Sequence, residues 1–408
     1  MSWFRDLSKV EKRTFYSAFG GWALDALDFM VFTFVISTLI TLWDIDKGSA
    51  GMLSTITLLF SSLGGWVAGM LADRYGRVRL LQISILWFSI CTVLIGFTQN
   101  FEQLFILRAL QGIGFGGEWA VGSVLIGEMV RAEHRGKAVG IVQSGWAVGW
   151  GLAALLYTLL FSVLPPELAW RSLFWVGIVP ALLVLYIRRY VPEPEVFQQT
   201  RARQQQSDTP VAFWHIFSPS LVRTTLLASL LCMGVQGGYY AITTWLPAYL
   251  KLEKGLSVVG TGSYLLVVIL GSFAGYICGA YLSDRLGRRP NFILFALLSM
   301  VSVYCYTQLP LSNTQMLLGF PLGFTASGIF SGMGAFLTEL FPSEVRASGQ
   351  GFSYNVGRAI GALFPSLVGF LSAKASLGTA ICIFAGGAYC VVLLVTYLLP
   401  ETKGKQLL

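Results

Sequence analysis

Two charged motifs occur twice in this chain, and both repeats have the same spacing. The first is Asp73-Arg74-Tyr75-Gly76-Arg77, which returns as Asp284-Arg285-Leu286-Gly287-Arg288. The second consists of Glu128, Arg135 and Gly140, which return as Glu339, Arg346 and Gly351. The shift is 211 residues in both cases. Agreement of two separate motifs on one shift indicates an internal duplication. The chain is therefore predicted to fold as two like halves, a common build of membrane carriers.

The apolar stretches are too long for the core of a soluble protein. Charged residues make up 12% of the 408 residues, against about 25% in a soluble domain. Twelve stretches approach the roughly 20 apolar residues that a helix needs to cross a bilayer. They lie at 15–40, 50–72, 80–98, 101–129, 138–162, 170–187, 224–250, 259–283, 291–308, 314–339, 347–373 and 377–399. We number them spans 1 to 12 and predict an all-α membrane protein with two pseudo-symmetric six-helix bundles.

One long polar segment divides the spans six and six. It covers residues 191–222 and begins near Pro192-Glu193-Pro194-Glu195. The predicted organisation is an N-terminal bundle at 1–190, a cytoplasmic linker at 191–222 and a C-terminal bundle at 223–408. All other connections are short, so neighbouring spans should be antiparallel.

The positive charges orient the predicted bundle. Most of the 28 lysines and arginines fall in the tails and in the loops on one side, if both termini are cytoplasmic. An excess of Lys and Arg marks the cytoplasmic side of a membrane protein. We therefore expect an inner-membrane protein with both termini in the cytoplasm and with lipid around it. The same placement explains the net charge of +8 without nucleic acid as a partner.

The sequence offers no pattern for an enzyme. Its six cysteines are scattered through apolar spans, and its two histidines lie in predicted cytoplasmic loops. We find no metal-ligand cluster, nucleophile triad or phosphate-binding loop, so we predict no metal and no cofactor. We expect a monomer.

Ionisable residues in the spans are the candidates for chemistry, because each costs about 2.5–3.5 kcal/mol at mid-membrane on insertion scales. Counted along their helices, Asp25 in span 1, Glu118 in span 4 and Arg358 in span 11 lie near the midplane. Asp28 is one turn beyond Asp25 on the same face. Burial and nearby like charges favour the protonated form of a carboxyl group. With no histidine in any span, Asp25, Asp28 and Glu118 are the candidate proton carriers.

A fixed positive charge would hold an anionic substrate. Arg358 keeps its charge at ordinary pH and can grip a carboxylate with two hydrogen bonds. Arg108 is a second candidate, although it could instead pair with Glu118, and Arg358 could have a structural ion-pair role. Six other residues of the spans are candidate substrate contacts: Gln111, Trp22, Gln236, Tyr239, Tyr240 and Asn355.

The duplicated motifs fall at equivalent cytoplasmic corners, between spans 2 and 3, 4 and 5, 8 and 9, and 10 and 11. Charge pairs at such corners can hold one side closed and break when it opens. We therefore predict a gating role for Asp73, Arg74, Arg77, Glu128, Arg135, Asp284, Arg285, Arg288, Glu339 and Arg346. The alternative is a solvated set of charges that only fixes the topology.

These motifs resemble the signatures of a known transporter family. Gly69 to Arg77 looks like the loop signature of the major facilitator superfamily, and Arg108 to Gly114 resembles its fourth-helix signature. Within it, Gly21-Trp22-Ala23-Leu24-Asp25-Ala26-Leu27-Asp28 is similar to the first helix of the sialate, lactate and aromatic-acid proton symporters. Gly116-Gly117-Glu118 and Gly357-Arg358 are similar to that group as well. The resemblance implies alternating access and proton-coupled uptake of a small organic anion.

Two other functions stay open at this point. Pro400-Glu401-Thr402-Lys403-Gly404 resembles the tail of the sugar-porter branch, so a neutral sugar or polyol carrier is one alternative. The buried Arg358 disfavours it, because a neutral solute needs no buried cation. The second alternative is a membrane receptor on a carrier scaffold, which would usually have a larger cytoplasmic loop or tail.

Overall fold

The computed structural model describes residues 2–129, 132–192, 213–310, 313–342 and 345–403. All regular elements in these ranges are helices. Ten helical segments of the described residues are long and apolar enough to cross a membrane. The predicted all-α membrane class is therefore confirmed.

The first half contains spans 1 to 6 after a short helix, Ser2–Arg5. Spans 1 to 5 are Lys9–Trp43, Lys47–Tyr75, Arg77–Ile95, Phe101–Met129 and Ala132–Val163. Span 6 consists of Pro166–Trp175, a 3-10 turn at Val176–Ile178 and the helix Val179–Tyr190. Most of the predicted linker, residues 193–212, lies outside the described residues. The predicted domain boundaries therefore stay predictions.

The second half begins with a 3-10 helix, Phe213–Phe217, and contains spans 7 to 12. Span 7 is Val222–Ala248 with a π-helical end at Tyr249–Glu253, span 8 is Val258–Leu286, and span 9 is Arg288–Gln308. Span 10 consists of Asn313–Gly328, a 3-10 turn at Ile329–Gly332 and the helix Met333–Leu340. Span 11 consists of Arg346–Gly361 and Phe364–Leu371, and span 12 is Leu377–Leu398.

Among the described residues, spans 4 and 11 contain no helix segment that length and apolar composition identify as membrane-spanning. Span 4 carries Glu102, Arg108 and Glu118 along one stretch of the helix. Span 11 is interrupted after Gly361, and Pro365 occupies the first turn of its second segment. A proline fits there because the first backbone N–H groups of a helix have no partner within that helix. Arg358 consequently lies in the last turn of the first segment, where the helix dipole favours a cation.

The packing of the helices repeats with the sequence. Span 2 packs on span 4 as span 8 packs on span 10, and span 1 packs on span 5 as span 7 packs on span 11. Across the molecule, span 5 meets span 8 and span 2 meets span 11. Each contact has a counterpart six spans later. The duplication therefore shapes the tertiary structure as well as the sequence.

The two halves are packed together at the end that carries the loop between spans 1 and 2, which we name the outer end. There Ser366 donates a hydrogen bond to the hydroxyl of Thr55 at 2.7 Å. Lys251, at the end of span 7, donates to the hydroxyl of Thr38 in span 1 at 3.4 Å. A methyl group at Gly51 would lie 2.6 Å from the carbonyl oxygen of Pro365, so only glycine allows this approach.

Candidate functional site

A small cavity lies in the first half at the level of Asp25. It is lined by polar side chains and three phenylalanine rings: Asp25, Asp28, Thr57, Arg108, Gln111, Phe29, Phe88 and Phe115. Its volume is about 10 Å³, roughly the space that one water molecule requires. Four predicted site residues therefore share one buried enclosure that is too small for an organic acid in this conformation.

Asp28 is connected to Arg108 by a chain of buried side chains. The Thr92 hydroxyl lies 3.0 Å from Asp28 Oδ2 and 2.8 Å from the carbonyl oxygen of Phe88, so its proton can serve either acceptor. Gln111 Nε2 donates to the same hydroxyl at 2.7 Å, and Arg108 Nη1 donates to Gln111 Oε1 at 2.6 Å. The predicted residues Asp28, Gln111 and Arg108 thus meet through Thr92.

Arg108 also has contacts outside this chain. Its Nε donates to the carbonyl oxygen of Leu53 at 3.4 Å, and its guanidinium lies 4.0 Å from the ring centroid of Phe32. Its Nη2 has no acceptor among the described residues. None of these contacts involves Glu118, which was the alternative partner considered from the sequence. Arg108 therefore retains a donor for a further anion.

Glu118 lies against Asp25 instead. The two carboxyl groups approach within hydrogen-bond range, and both residues are buried. The helix of Asp25 permits this approach at Gly21, where a methyl group would lie 2.5 Å from Glu118 Oε1. The two carboxyl groups closest in sequence, Asp25 and Asp28, therefore have different immediate partners.

Arg358 spans the interface between the halves. Its Nη1 donates to the hydroxyl of Ser61 in span 2 at 2.8 Å, across the molecule. Its Nη2 donates to the Tyr354 hydroxyl at 3.2 Å, and its Nε donates to Gln236 Oε1 at 3.4 Å. Its guanidinium carbon is 5.8 Å from the ring centroid of Phe115 in span 4. The predicted anion ligand is thus central and within reach of both halves.

Aromatic residues of both halves surround this region. Trp22 lies 5.0 Å from Trp146 between ring centroids, and Phe29 lies 5.5 Å from Phe115 and 6.2 Å from Tyr240. We name the set formed by Trp22, Phe29, Phe115, Trp146, Tyr239 and Tyr240 the aromatic cluster. It contains three of the predicted substrate contacts, Trp22, Tyr239 and Tyr240.

Span 7 contributes polar groups to the same region. Gln236 Nε2 donates to the carbonyl oxygen of Tyr354 at 3.1 Å, and the Tyr240 hydroxyl lies 3.4 Å from Gln236 Oε1. Asn355, which is half-buried, donates to the carbonyl oxygen of Gly351 at 3.0 Å. Trp245 is fully buried and donates to the carbonyl oxygen of Pro365 at 2.8 Å.

Two important residues were not identified from the sequence. Thr92 is one of many threonines in apolar spans, and only its distance to Asp28 distinguishes it. Ser61 lies in span 2, far from Arg358 in sequence, so no local pattern connects them. Trp146 had no predicted role either, and the structure places it between Trp22 and Tyr239.

The corner motifs are described in part. The side chains of Asp73, Arg74, Glu128, Arg135, Asp284 and Arg346 lie outside the described part of the structure. In the second half, Arg288 forms an ion pair with Glu339 through Nη2 at 2.8 Å and Nε at 3.1 Å. Arg285 is exposed, and its carbonyl oxygen accepts a hydrogen bond from Lys403. Arg77 is half-buried at the start of span 3.

The C-terminal residues complete this corner. Glu401 accepts backbone hydrogen bonds from Arg288 at 2.9 Å and from Arg289 at 3.0 Å, at the start of span 9. Thr402 donates to Glu339 Oε2. Burial raises the pKa of Glu401, but the backbone N–H groups of Arg288, Lys403, Arg289 and Thr402 outweigh it, so the pKa is lowered. The described residues contain no group of His, Cys, Asp and Glu that could hold a metal ion.

Comparison with known proteins identifies the family. A family model described as Major Facilitator Superfamily matches residues 18–281 and 261–407. The chain belongs to the major facilitator superfamily. Its members are transporters, in agreement with the prediction that this chain is not an enzyme. The predicted twelve-span fold is that of the family.

The relatives are metabolite transporters. A probable 4-methylmuconolactone transporter of Cupriavidus pinatubonensis is 45% identical over 407 residues, 99% of this chain and 94% of that protein. A cis,cis-muconate transport protein of Acinetobacter baylyi is 32% identical, over 94% of this chain and 93% of that protein. The xylose transporter XylE from E. coli, in a partially occluded inward-open conformation, superposes with a TM-score of 0.73 and 22% identity, covering 98% and 100% of the two chains. At that identity the likeness concerns the fold alone.

Proposed function

We propose that this chain is a secondary active transporter that takes up a small organic anion together with protons by alternating access. The observation that carries the proposal is one buried region containing three carboxyl groups and two guanidinium groups. Asp25, Asp28 and Glu118 would carry the proton, and Arg358 and Arg108 would hold the anion. Charged groups this deep in a membrane are expensive, which argues for a function that needs them.

The aromatic cluster supports a planar or unsaturated acid as the cargo. Aromatic faces pack well against flat conjugated molecules, and the Tyr240 hydroxyl lies beside Gln236, a partner of Arg358. Gln111, Gln236, Tyr239 and Asn355 would supply polar contacts around the carboxylate. The names of the relatives, a muconolactone and a muconate transporter, agree with such a substrate.

The closed outer end indicates which movement the transport cycle would require. Thr55 and Ser366 are in contact there, so access to the buried region from that side requires the halves to separate. The corner charges would act at the opposite end, where Arg288 and Glu339 are paired. On the charge asymmetry of the loops, the outer end faces the periplasm of an inner-membrane protein with cytoplasmic termini. We further propose that the protein is a monomer with bundles at 1–190 and 223–408 and a cytoplasmic linker at 191–222.

A ligand panel tests the substrate class. Purified protein would be heated with cis,cis-muconate, a muconolactone, nicotinate, benzoate, lactate or sialic acid, and with xylose as the neutral control. We expect one or more planar acids to raise the melting temperature and xylose to leave it unchanged. The best ligand would then be tested for uptake into proteoliposomes with only a pH difference imposed. Stabilisation by xylose alone would favour the sugar-carrier alternative.

The orientation has its own test. A reporter that is active only in the periplasm would be fused after Gln206, within the proposed linker. We expect no activity there, and activity from a fusion in the loop that follows span 1. The reverse result would invert the proposed topology and the direction assigned to the outer end.

A further inference from the structure

Asp25 and Glu118 lack the donors that ionised carboxylates need. Asp25 is fully buried and Glu118 is 3% exposed. Neither oxygen of Asp25, nor Oε2 of Glu118, accepts a hydrogen bond from a donor among the described residues. A buried acceptor that stays unsatisfied is destabilising, and more so when it is charged. Two such groups facing each other therefore need a proton between them.

The carboxyl groups are close enough to share one. A protonated carboxyl has one O–H donor, whereas an ionised carboxylate can only accept. Their side chains are within hydrogen-bond range of each other. When two carboxylates share a site, close like charges strongly favour a state with a single proton on the pair. The other charged groups that face Asp25 are Asp28 from span 1 and Arg358 from span 11.

Asp28 has different surroundings, although it is one turn away. Thr92 lies 3.0 Å from its Oδ2, and Arg108 reaches it through Gln111 and Thr92. A polar chain that ends in a guanidinium can stabilise a negative charge at Asp28. The two aspartates of span 1 therefore face chemically distinct environments.

Gly21 leaves room for Glu118 beside Asp25. Glu118 Oε1 lies over Gly21, where a Cβ would be 2.5 Å away, closer than real Cβ atoms come to an oxygen. At the neighbouring Gly20, a Cβ would meet only Leu183 at 3.8 Å, which is ordinary contact. Gly21→Ala should therefore push the Glu118 carboxyl group away from its present position. Gly20→Ala should be accommodated without such a shift.

We infer that Asp25 and Glu118 hold one proton between them and that this pair is the proton-binding site of the carrier, with Asp28 linked instead through Thr92 and Gln111 to Arg108. The role in coupling rests on the proposed function, whereas the shared proton does not. Release of the proton to water on the open side leaves two adjacent carboxylates that repel each other. Rebinding of a proton from the opposite side restores the pair.

Infrared spectroscopy of the purified protein tests the shared proton without any substrate. The wild type should show a protonated-carboxyl C=O band at neutral pH that shifts in heavy water. Asp25→Asn and Glu118→Gln should each lose this band, because an amide can donate to the remaining carboxylate. Asp28→Asn and the exposed-site control Glu102→Gln should keep it. Gly21→Ala should lose most of the band, and Gly20→Ala should retain it.

Transport in proteoliposomes tests the coupling. Driven by a pH difference, Asp25→Asn and Glu118→Gln should lose at least ten-fold in accumulation of cis,cis-muconate or benzoate, whichever the wild type carries. Both should retain counterflow, which also shows that they fold. If the infrared band survives in Asp25→Asn and Glu118→Gln but disappears in Asp28→Asn, the shared proton is rejected and the proton lies on Asp28. A wild type that shows the band but accumulates no acid under a pH difference would instead reject the proposed function.

Discussion

Trp146 and Tyr239 join the two halves of the molecule through one buried hydrogen bond. The indole Nε1 of Trp146 in span 5 donates to the hydroxyl of Tyr239 in span 7 at 2.7 Å. Both side chains belong to the aromatic cluster and are shielded from solvent. The bond can exist only while the halves are together at this level. It therefore stabilises the arrangement of the two halves seen in this structure, in which the outer end is closed.

Replacing Tyr239 by phenylalanine should shift the carrier toward the arrangement with an open outer end. Loss of the acceptor leaves a buried indole N–H unsatisfied, at a cost of about 1–3 kcal/mol. One to two kcal/mol changes a two-state ratio by a factor of about 5–30. Thiol labelling of Thr55→Cys at the outer end, followed site by site with mass spectrometry, should accelerate accordingly. Tyr240→Phe, which removes hydroxyl contacts to Gln236 and Arg358 within the second half, is the matched control and should leave the labelling rate unchanged.

Replacing Arg358 by lysine should impair transport although the charge is kept. The guanidinium reaches Ser61, Tyr354 and Gln236 with three separate nitrogens, and a single ammonium group cannot reproduce this geometry. If Arg358 also grips the substrate carboxylate, esterification of that carboxylate should weaken binding to the wild type by ten-fold or more. Binding to Arg358→Ala should hardly change on esterification. Equal losses in the two proteins would leave Arg358 as a structural residue only.

Thr92 should act as a positioning residue for Asp28. In Thr92→Val the hydroxyl that connects Asp28 to Gln111 is lost, and a charged Asp28 loses a hydrogen-bond donor. We expect a several-fold loss of uptake with a raised KM for the acid, because Gln111 and Arg108 are no longer held in place through Thr92. Thr92→Ser keeps the hydroxyl and should restore both the rate and the KM. A KM that is identical in all three proteins would contradict the positioning role.

The C-terminal residues should detach from span 9 on acidification. The pKa of Glu401 is lowered, so its ionised form stabilises the docked tail above the usual carboxyl pKa of about 4.3. That contribution is lost as pH falls through the lowered pKa, when protonation weakens the bonds to Arg288 and Arg289. Cleavage after Lys403 by a protease active in both acid and neutral buffer should therefore be slow at neutral pH and faster in acid. Glu401→Gln should be cleaved quickly at neutral and at acid pH. Glu102→Gln should be cleaved as the wild type is.

The sequence by itself determined the architecture. The repeated motifs predicted two like halves, and Gly76 and Gly287 occupy the same place in both, with φ of 109° and 112° between consecutive helices. This left-handed region favours glycine, so a local requirement preserved the residue in each copy. The apolar stretches predicted the spans, because a bilayer demands a run of apolar residues whatever the neighbours are.

The sequence also located the residues of the site by depth. Asp25, Glu118 and Arg358 were predicted to lie near the membrane midplane, with Asp28 one turn beyond Asp25, and all four are buried. Position along a helix fixes depth directly, since each residue adds about 1.5 Å. The family comparison then supports the transporter class that the duplication had indicated.

Only the tertiary structure decided which of these residues meet. By sequence, Asp25 and Asp28 are neighbours on one face of span 1, yet Asp25 approaches Glu118 and Asp28 approaches Thr92. Arg358 finds Ser61 on the other half of the molecule. These contacts depend on how spans rotate and pack against one another, which is set by small residues such as Gly21 and by side chains far away in the chain. Periodicity within one helix carries no information about the rotation of its neighbour, so the pairing had to come from the packed structure.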